Sequence, residues 1–394
     1  MTMIASLQTT TPEEASFRPE VLVRLEQLFQ NLIQENQLQS ASYLLAKDGK
    51  IVASSAMGRR TYKNDDDSPM LTDTIRRIAS VTKLFGAVAI FQLIEQGKLF
   101  LKQAVSEWIE EFKHPMFERI QIWHLLTHTS GLWPDPGYYN EPNPFGHWDV
   151  RFAFEPDNED TAVNEDERLK LRKSAWIRSI LSLKPVCKPG ENWNYSSAGY
   201  ALIGEIVSRA SGMHFEEYVI KHITEPLGMN RTFFDVPAEL HGEICVTNEW
   251  DVSRLDKRDR TYDPPRTGGG LYSTLEDLFR FGQMLLNNGS YEGRRILSRK
   301  SIERMTRNHF EGRNLFAYSW GGKVASMPYG MGPGVTLENE WISAGAYGHE
   351  GAGRSKLIID PKHNAVIVFF VPSNSDWVPE SIITPLQIIG SGWK

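Results

Sequence analysis

The chain has 394 residues, 41% of them hydrophobic and 23% charged, with a formal net charge of −6. This composition is that of a globular protein with a large core, and the acidic balance gives no reason to expect nucleic acid as a partner. Its two cysteines imply no disulfide framework, and without a signal-peptide pattern or an apolar run of about 18 residues we expect a cytoplasmic protein.

The first part of the chain alternates between helical and strand patterns. Apolar residues at helical spacing predict an amphipathic helix over residues 20–40. Two apolar runs joined through Asp48-Gly49 then predict a β-hairpin. The segment from Ser80 to Ile94 is apolar on nearly every side, which predicts a buried helix. Further helical patterns follow at 122–126, 175–183 and 200–209.

The last part of the chain returns to strand patterns. After a triple glycine at 268–270 and a helical pattern at 274–287, two β-like apolar runs occupy 356–359 and 365–371. We therefore expect an α/β (α+β) fold, in which an antiparallel sheet flanked by helices is built from both ends of the chain.

The same pattern predicts two subdomains. Residues 1–85 and 262–394 would form the α/β part, and 86–261 an inserted, mostly helical part. Within the insertion, residues 133–168 hold seven aromatic side chains followed by a cluster of acids. So long an unpatterned stretch is either a functional lid or a disordered segment, and its aromatic residues favour the lid.

Ser80 and Lys83 form the first candidate catalytic pair. Residues three apart lie on one helix face, with about 5–6 Å between Cβ atoms, so the amine can approach the hydroxyl. A serine hydroxyl is a weak nucleophile until a base takes its proton, and the start of a helix favours the anionic form. Ser-x-x-Lys is also a signature of β-lactamases and penicillin-binding proteins.

A second Ser-x-x-Lys occurs at Ser391 to Lys394. It follows Gly390 and contains Gly392, so we expect no helix to hold this pair in register. We interpret it as a chance match.

A serine–lysine pair needs a second proton relay and an oxyanion hole. Tyr195 follows the turn-rich Lys188-Pro189-Gly190, and nearby lysine cations would favour its phenolate. His349 can hydrogen-bond a substrate carbonyl or carboxylate, and the Ala352 N–H can help bind an oxyanion. Each segment also has a purely structural interpretation. Tyr195 could simply pack beside Trp193, and the segment around His349 could be a glycine-rich bulge.

Together these segments resemble the serine β-lactamase-like hydrolases: class C β-lactamases, D-alanyl-D-alanine carboxypeptidases, D-aminopeptidases and family VIII carboxylesterases. The resemblance covers roughly residues 20–375. It rests on Ile78 to Lys83, Trp123 to Leu132, the Tyr195 segment, Glu225 to Met229, Gly268 to Thr274, and a His349-Glu350-Gly351 triplet where relatives carry Lys-Thr-Gly or His-x-Gly.

The resemblance implies roles for the candidate residues. Ser80 would be the acylated nucleophile, with Lys83 and Tyr195 as the proton relay. The backbone N–H groups of Ser80 and Ala352 would form the oxyanion hole. If Lys83 stays charged, Tyr195 is the natural base, whereas a neutral Lys83 can itself serve.

Three further residues would contact the substrate: Ser197, His349 and Gly351. Ser197 stands where relatives with β-lactamase or peptidase activity usually have asparagine, and a hydroxyl cannot offer both an amide donor and a carbonyl acceptor. His349 replaces a lysine and is mostly neutral at pH 7, which weakens the site for a substrate carboxylate. Both changes favour esters and some amides over β-lactams.

The leading hypothesis is thus a serine hydrolase of a small-molecule ester, amide or short peptide, working without a cofactor, nucleic acid or membrane. Acyl transfer at the same site, β-lactamase or D-alanyl-D-alanine peptidase activity, and a non-catalytic sensor or scaffold are the alternatives. His124 and His128 have metal-ligand spacing but lack the glutamate of His-Glu-x-x-His, so we expect no metal site. The oligomeric state stays open.

Overall fold

The computed structural model describes residues 7–133, 165–181, 184–255, 264–313, 315, 328–337, 341–373 and 378–394. Nearly all of the predicted lid at 133–168 lies outside the described residues. The subdomain boundaries at 85 and 262 remain a prediction.

An antiparallel sheet built from both ends of the chain confirms the predicted fold class. The strands of the described residues are β1 (Ser40–Lys47), β2 (Lys50–Gly58), β3 (Arg76–Arg77), β4 (Tyr272–Ser273), β5 (Ser290–Tyr291), β6 (Arg294–Arg295), β7 (Gly334–Val335), β8 (Tyr347–Gly351), β9 (Ser355–Asp360) and β10 (Ala365–Phe370). The main sheet has the order β2-β1-β10-β9-β8-β7, and each neighbouring pair is antiparallel. The other four strands form two short pairs.

Helices pack on both faces of this sheet. In the sequence, most of them lie between the N-terminal strands β1 and β2 and the C-terminal strands β7 to β10. They are α1 (Pro19–Gln34), α2 (Thr82–Glu95), α3 (Ile122–Leu126), α4 (Glu165–Ile180), α5 (Ser197–Ser211), α6 (Phe215–Val219), α7 (Glu225–Leu227), α8 (Glu249–Ser253), α9 (Leu275–Leu286), α10 (Arg299–Thr306) and α11 (Ile383–Gly390). Within the described ranges, none of them is long and apolar enough to cross a bilayer.

Both faces of the sheet are buried, because successive residues of a strand point to opposite faces. Leu44 and its partner Val368 belong to the larger core, whereas Leu45 and its partner Ile367 belong to the smaller one. Helix α9 packs on the first face, and α1 and α11 pack together on the second. The near-continuous apolar runs of the sequence follow from this double burial.

The predicted hairpin is confirmed, with left-handed backbone at Asp48 (φ 51°) and Gly49 (φ 77°), as a tight two-residue turn requires. The predicted helix at 20–40 is too long at its C-terminal end. Helix α1 ends at Gln34, Asn36 is left-handed (φ 55°), and β1 begins at Ser40.

Candidate active site

Ser80 and Lys83 lie where α2 begins. A 3₁₀ turn at Ala79–Val81 runs directly into α2, so the two side chains share one face. Lys83 Nζ is 3.2 Å from Ser80 Oγ. Ser80 is partly exposed, whereas Lys83 is fully buried. Ala79, just before Ser80, has φ 44°, a strained conformation for an L-residue of the kind that concentrates at functional sites.

The buried Lys83 amine is surrounded by oxygen acceptors. Among the described residues it donates to Ser80 Oγ at 3.2 Å, Ser197 Oγ at 3.0 Å and the Gly268 carbonyl at 2.7 Å. An ammonium group has three hydrogens to donate, and burying it without acceptors would be costly. The contacts therefore fit a charged Lys83.

Gly268 was not among the residues predicted for the site. A Cβ atom there would lie 2.9 Å from Ser197 Cβ, tighter than real contacts, so only glycine lets its carbonyl reach Lys83 beside Ser197. The triple glycine at 268–270 was the available signal, although nothing local indicates which carbonyl is used.

Tyr195 lies directly before α5 and next to the Ser80–Lys83 pair. Ser196 is the N-cap of α5, and its hydroxyl accepts from the Gly199 N–H at 2.9 Å. The Tyr195 ring is buried, and its centroid is 4.7 Å from Lys83 Nζ. The ring also packs 5.8 Å from Trp193, so Tyr195 is both a packed residue and a neighbour of the amine.

His349 reaches the site from β8, and its ring centroid is 6.1 Å from that of Tyr195. Its Nδ1 is 2.7 Å from the Glu350 carbonyl, which can only accept, so Nδ1 carries the hydrogen. In the neutral ring Nε2 then accepts from the Tyr329 hydroxyl at 3.2 Å. Burial, together with the charge on Lys83, lowers the pKa of His349 to about 3. His349 therefore offers no positive charge at neutral pH.

The turn between β8 and β9 packs against the chain that leads into Ser80. Ser355 Oγ donates to the Ile78 carbonyl at 2.8 Å, and a Cβ atom on Gly351 would lie 2.1 Å from the same oxygen. Only glycine permits this approach, which brings the Ala352 turn close to Ser80. The role of Ala352 in an oxyanion hole remains a prediction.

A buried arginine holds this turn from the other side. Arg76 donates through Nη2 to the Gly353 carbonyl at 3.2 Å, and through Nη1 to Cys245 O at 2.8 Å and Asp251 Oδ2 at 3.0 Å. Arg76 is on β3, four residues before Ser80. It therefore ties β3, the β8–β9 turn and α8 together.

His124 and His128 do not share a ligand position. Nδ1 of His124 accepts from the Gln121 N–H at 2.9 Å, and Nδ1 of His128 accepts from the Ser196 N–H at 3.1 Å. Burial lowers the pKa of His124 to about 4 and that of His128 well below its ordinary value. In the part of the chain that the structure describes, no three His, Cys, Asp or Glu side chains gather as a metal site would require.

The second Ser-x-x-Lys lies away from these residues. Ser391 ends α11, where its hydroxyl donates to the Ile388 carbonyl at 2.7 Å. The Lys394 N–H bonds to the Ser16 carbonyl at 3.1 Å. Ser391 thus ends a helix and Lys394 follows it, as expected of a chance match.

Comparisons with known proteins bear on the family and the fold of the chain. A family model described as Beta-lactamase matches residues 25–381. Protein Rv1367c of Mycobacterium tuberculosis is 31% identical over 271 residues, and the match covers 61% of each chain. Esterase EstB of Burkholderia gladioli is 28% identical over 283 residues, covering 65% of this chain and 68% of EstB.

A solved structure shares the fold over most of its length. The octameric penicillin-binding protein homologue from Pyrococcus abyssi is 27% identical, with a TM-score of 0.66 and coverage of 90% of this chain and 74% of that one. The chain thus aligns with less than two thirds of the Mycobacterium tuberculosis protein but with most of the solved structure.

Proposed function

The chain belongs to the β-lactamase family, and from that membership we propose that it is a serine hydrolase that forms an acyl-enzyme on Ser80. Its substrate would be a small-molecule ester, with small amides or short peptides as further candidates. The observation that carries the proposal is the hydrogen-bonded Ser80–Lys83 pair with the Tyr195 ring 4.7 Å from the amine.

Tyr195 would be the general base, because Lys83 is engaged as a donor. An ammonium that donates to Ser80 Oγ and to the Gly268 carbonyl has no lone pair with which to take a proton. The same positive charge favours a phenolate at Tyr195. Lys83 would therefore hold the Ser80 hydroxyl in place and stabilise the negative charge of the base.

In the acylation step, Ser80 Oγ bonds to the ester carbonyl carbon while its proton passes to the Tyr195 oxygen. The carbonyl electron pair moves onto oxygen, where the N–H groups of Ser80 and Ala352 would stabilise it. The bond to the leaving alcohol then breaks, and Tyr195 returns the proton to the departing oxygen. In deacylation, water bonds to the acyl carbon and gives a proton to Tyr195. The bond to Ser80 Oγ then breaks, the acid is released, and Tyr195 returns the proton to Ser80.

Neutral substrates fit the site better than anionic ones. The neutral His349 offers no cation to a substrate carboxylate, since Nδ1 donates to Glu350 and Nε2 faces the Tyr329 hydroxyl. Ser197 uses its hydroxyl to accept from Lys83. Esterase EstB, a relative by sequence, supports the same substrate class.

Labelling and turnover together test this proposal. A fluorophosphonate should add to Ser80, as located by peptide mass spectrometry, and Ser80→Ala should abolish labelling and reduce p-nitrophenyl ester hydrolysis by at least about 1000-fold. The matched control is Ser391→Ala, which removes the serine of the second motif and should leave both measurements unchanged. A folded protein that is not labelled, or one whose turnover survives Ser80→Ala, would contradict the proposal and favour a non-catalytic role.

Two further assays separate the alternatives that use the same serine. Slow nitrocefin turnover beside rapid ester hydrolysis is expected, and the reverse ranking would indicate a β-lactamase. Adding an alcohol and analysing the products distinguishes hydrolysis from acyl transfer, because transfer yields a new ester in place of the free acid.

A further inference from the structure

We propose that His128 is a positioning residue that holds Tyr195 in place for proton transfer. The inference rests on the proposed function, in which Tyr195 is the general base. His128 belongs to the segment that follows α3, and Tyr195 lies 67 positions later in the chain, just before α5.

His128 contacts Tyr195 and both of its chain neighbours. The His128 carbonyl accepts from the Asn194 N–H at 2.7 Å, and Nδ1 accepts from the Ser196 N–H at 3.1 Å. Between these two hydrogen bonds, the imidazole lies against the Tyr195 ring, with 4.4 Å between centroids and 35° between planes. One residue thus fixes the backbone on each side of Tyr195 and one face of its ring.

The backbone of His128 makes this double contact possible. Its φ is 57°, in the left-handed region that few residues other than glycine adopt, although histidine, asparagine and aspartate do so more readily than most. In this conformation the carbonyl and the side chain of one residue both face the segment of residues 194–196. An asparagine could adopt this backbone, whereas a bulky apolar residue would be strained.

The ring has a defined protonation state in this position. Because Nδ1 accepts from a backbone N–H, the hydrogen of the neutral ring is on Nε2, which has no acceptor among the described residues. Leaving a buried donor unpaired costs free energy, and an apolar ring would avoid that cost but lose the bond to Ser196. In the structure Nδ1 of His128 keeps its bond to the Ser196 N–H, while the Nε2 donor has no acceptor among the described residues.

Burial, together with the charge on Lys83, keeps His128 neutral. Lys83 and His349 are the titratable groups whose charge would oppose protonation, and the rings of Tyr200 and Tyr329 enclose the imidazole at 5.1 Å and 5.2 Å. Burial is the larger cause of the low pKa of His128, followed by Lys83. A protonated ring would point an N–H at the Ser196 N–H and break the contact, so neutrality is required for positioning.

Two substitutions separate the ring from the acceptor. His128→Asn keeps the left-handed backbone and a side-chain acceptor but removes the ring, and His128→Phe keeps a ring but removes the acceptor. We expect each to lower kcat and kcat/KM for a p-nitrophenyl ester together, by about 10- to 100-fold, with KM nearly unchanged. We also expect the ascending limb of the pH–rate profile to move to higher pH by about one unit, because a displaced phenol loses contact with the Lys83 cation.

His124→Asn is the matched control. His124 is also buried, and its Nδ1 also accepts a backbone N–H, that of Gln121 at 2.9 Å, but the described contacts of its ring include Trp123 and not Tyr195. This variant should lose thermal stability to a comparable extent while retaining kcat and the pH profile. If His128→Phe fails to fold, His128→Asn carries the test.

The outcomes distinguish this inference from the proposed function. Unchanged kcat and pH profile in folded His128→Asn would overturn it, as would the same kinetic changes in His124→Asn. Ser80→Ala is measured in parallel: if it retains turnover, the proposed function itself is wrong, whereas an inactive Ser80→Ala beside unaffected His128 variants contradicts the positioning role alone.

Discussion

At the scale of single residues, the charge on Lys83 controls the chemistry of its neighbours. Burial is the largest cause of the low pKa values of His128 and His349, and the Lys83 cation lowers both further. The same cation holds the Ser80 and Ser197 hydroxyls as acceptors. The Lys83 ammonium is thus surrounded by neutral histidine rings and by hydroxyl groups that accept its hydrogen bonds. Adding a second cation should therefore change which substrates are accepted.

His349→Lys tests that expectation. An ammonium on β8 would give a substrate carboxylate a charge-assisted hydrogen bond, which contributes about 1.5–3 kcal/mol. The ratio of kcat/KM for an anionic p-nitrophenyl ester, such as a succinate monoester, to that for a neutral one should rise by about 10- to 150-fold. His114→Lys adds the same charge at an exposed position and should leave the ratio unchanged. An unchanged ratio in His349→Lys would show that His349 does not face the substrate.

The residues of the site differ in how well the sequence predicts them. Ser80 and Lys83 are three apart on one helix, so local geometry alone brings them together. The Gly268 carbonyl is 185 positions from Lys83, and the two bonds to His128 span 66 and 68 positions. No local pattern encodes such contacts. Tyr329 was missed for the same reason, since its bond to His349 on β8 joins positions 20 apart that no local pattern connects.

At the scale of elements, tertiary contacts stabilise one strand and one helix that the sequence did not predict. Strand β8 contains two glycines and a glutamate, residues that strands seldom favour, and it forms because β7 and β9 pair with it on either side. Helix α11 includes Pro385 and several β-branched residues, and it is held by packing on α1. By contrast, Ile122–Leu126 and the hairpin at Asp48-Gly49 follow from local pattern and are confirmed.

The Arg76–Asp251 pair is an element-scale contact whose removal should be costly, because both side chains are buried. Asp251→Asn leaves the buried guanidinium without a charged partner, which costs about 3–5 kcal/mol in comparable buried pairs. We expect that loss in urea unfolding, together with slower ester turnover as the β8–β9 turn loosens. Glu303→Gln is the control, because it breaks an exposed pair with Arg299 and should have no measurable effect on either quantity. Equal stability of the two variants would contradict the role given to Arg76.

At the scale of the whole molecule, buried histidines make stability depend on pH. His124, His128 and His349 have lowered pKa values in the folded protein, so below pH 6.5 the unfolded chain binds protons that the folded protein does not. Their contribution is complete above pH 6.5 and is lost as the pH falls towards the folded values. Asp277, whose pKa burial raises to about 6, acts in the opposite direction between its unfolded and folded values.

The net effect is measurable by urea unfolding at pH 7.5, 6.0 and 5.0. His124, His128 and His349, opposed by Asp277, correspond to a net uptake of about two protons on unfolding, and hence to a fall of roughly 3 kcal/mol per pH unit between pH 6 and 5. The smaller decreases in the pKa values of His222 and His309 act in the same direction. His124→Asn should reduce the proton uptake on unfolding by about one, and the slope should fall in proportion. A free energy of unfolding that is constant across this range would contradict the assignment of these histidines as neutral.

The antiparallel pairing of β1 with β10 also has a consequence for biosynthesis. Lys47 pairs with Ala365, so more than three hundred further residues must be synthesised before β10 is available to pair with β1. At 5–20 residues per second this takes roughly 15–60 s. During that time the β1 edge is an open row of unpaired backbone groups, which is a template for pairing with other chains. Slow translation of the helical middle, or a shortage of chaperones, should therefore reduce the yield of folded protein well before it affects the stability of the finished protein.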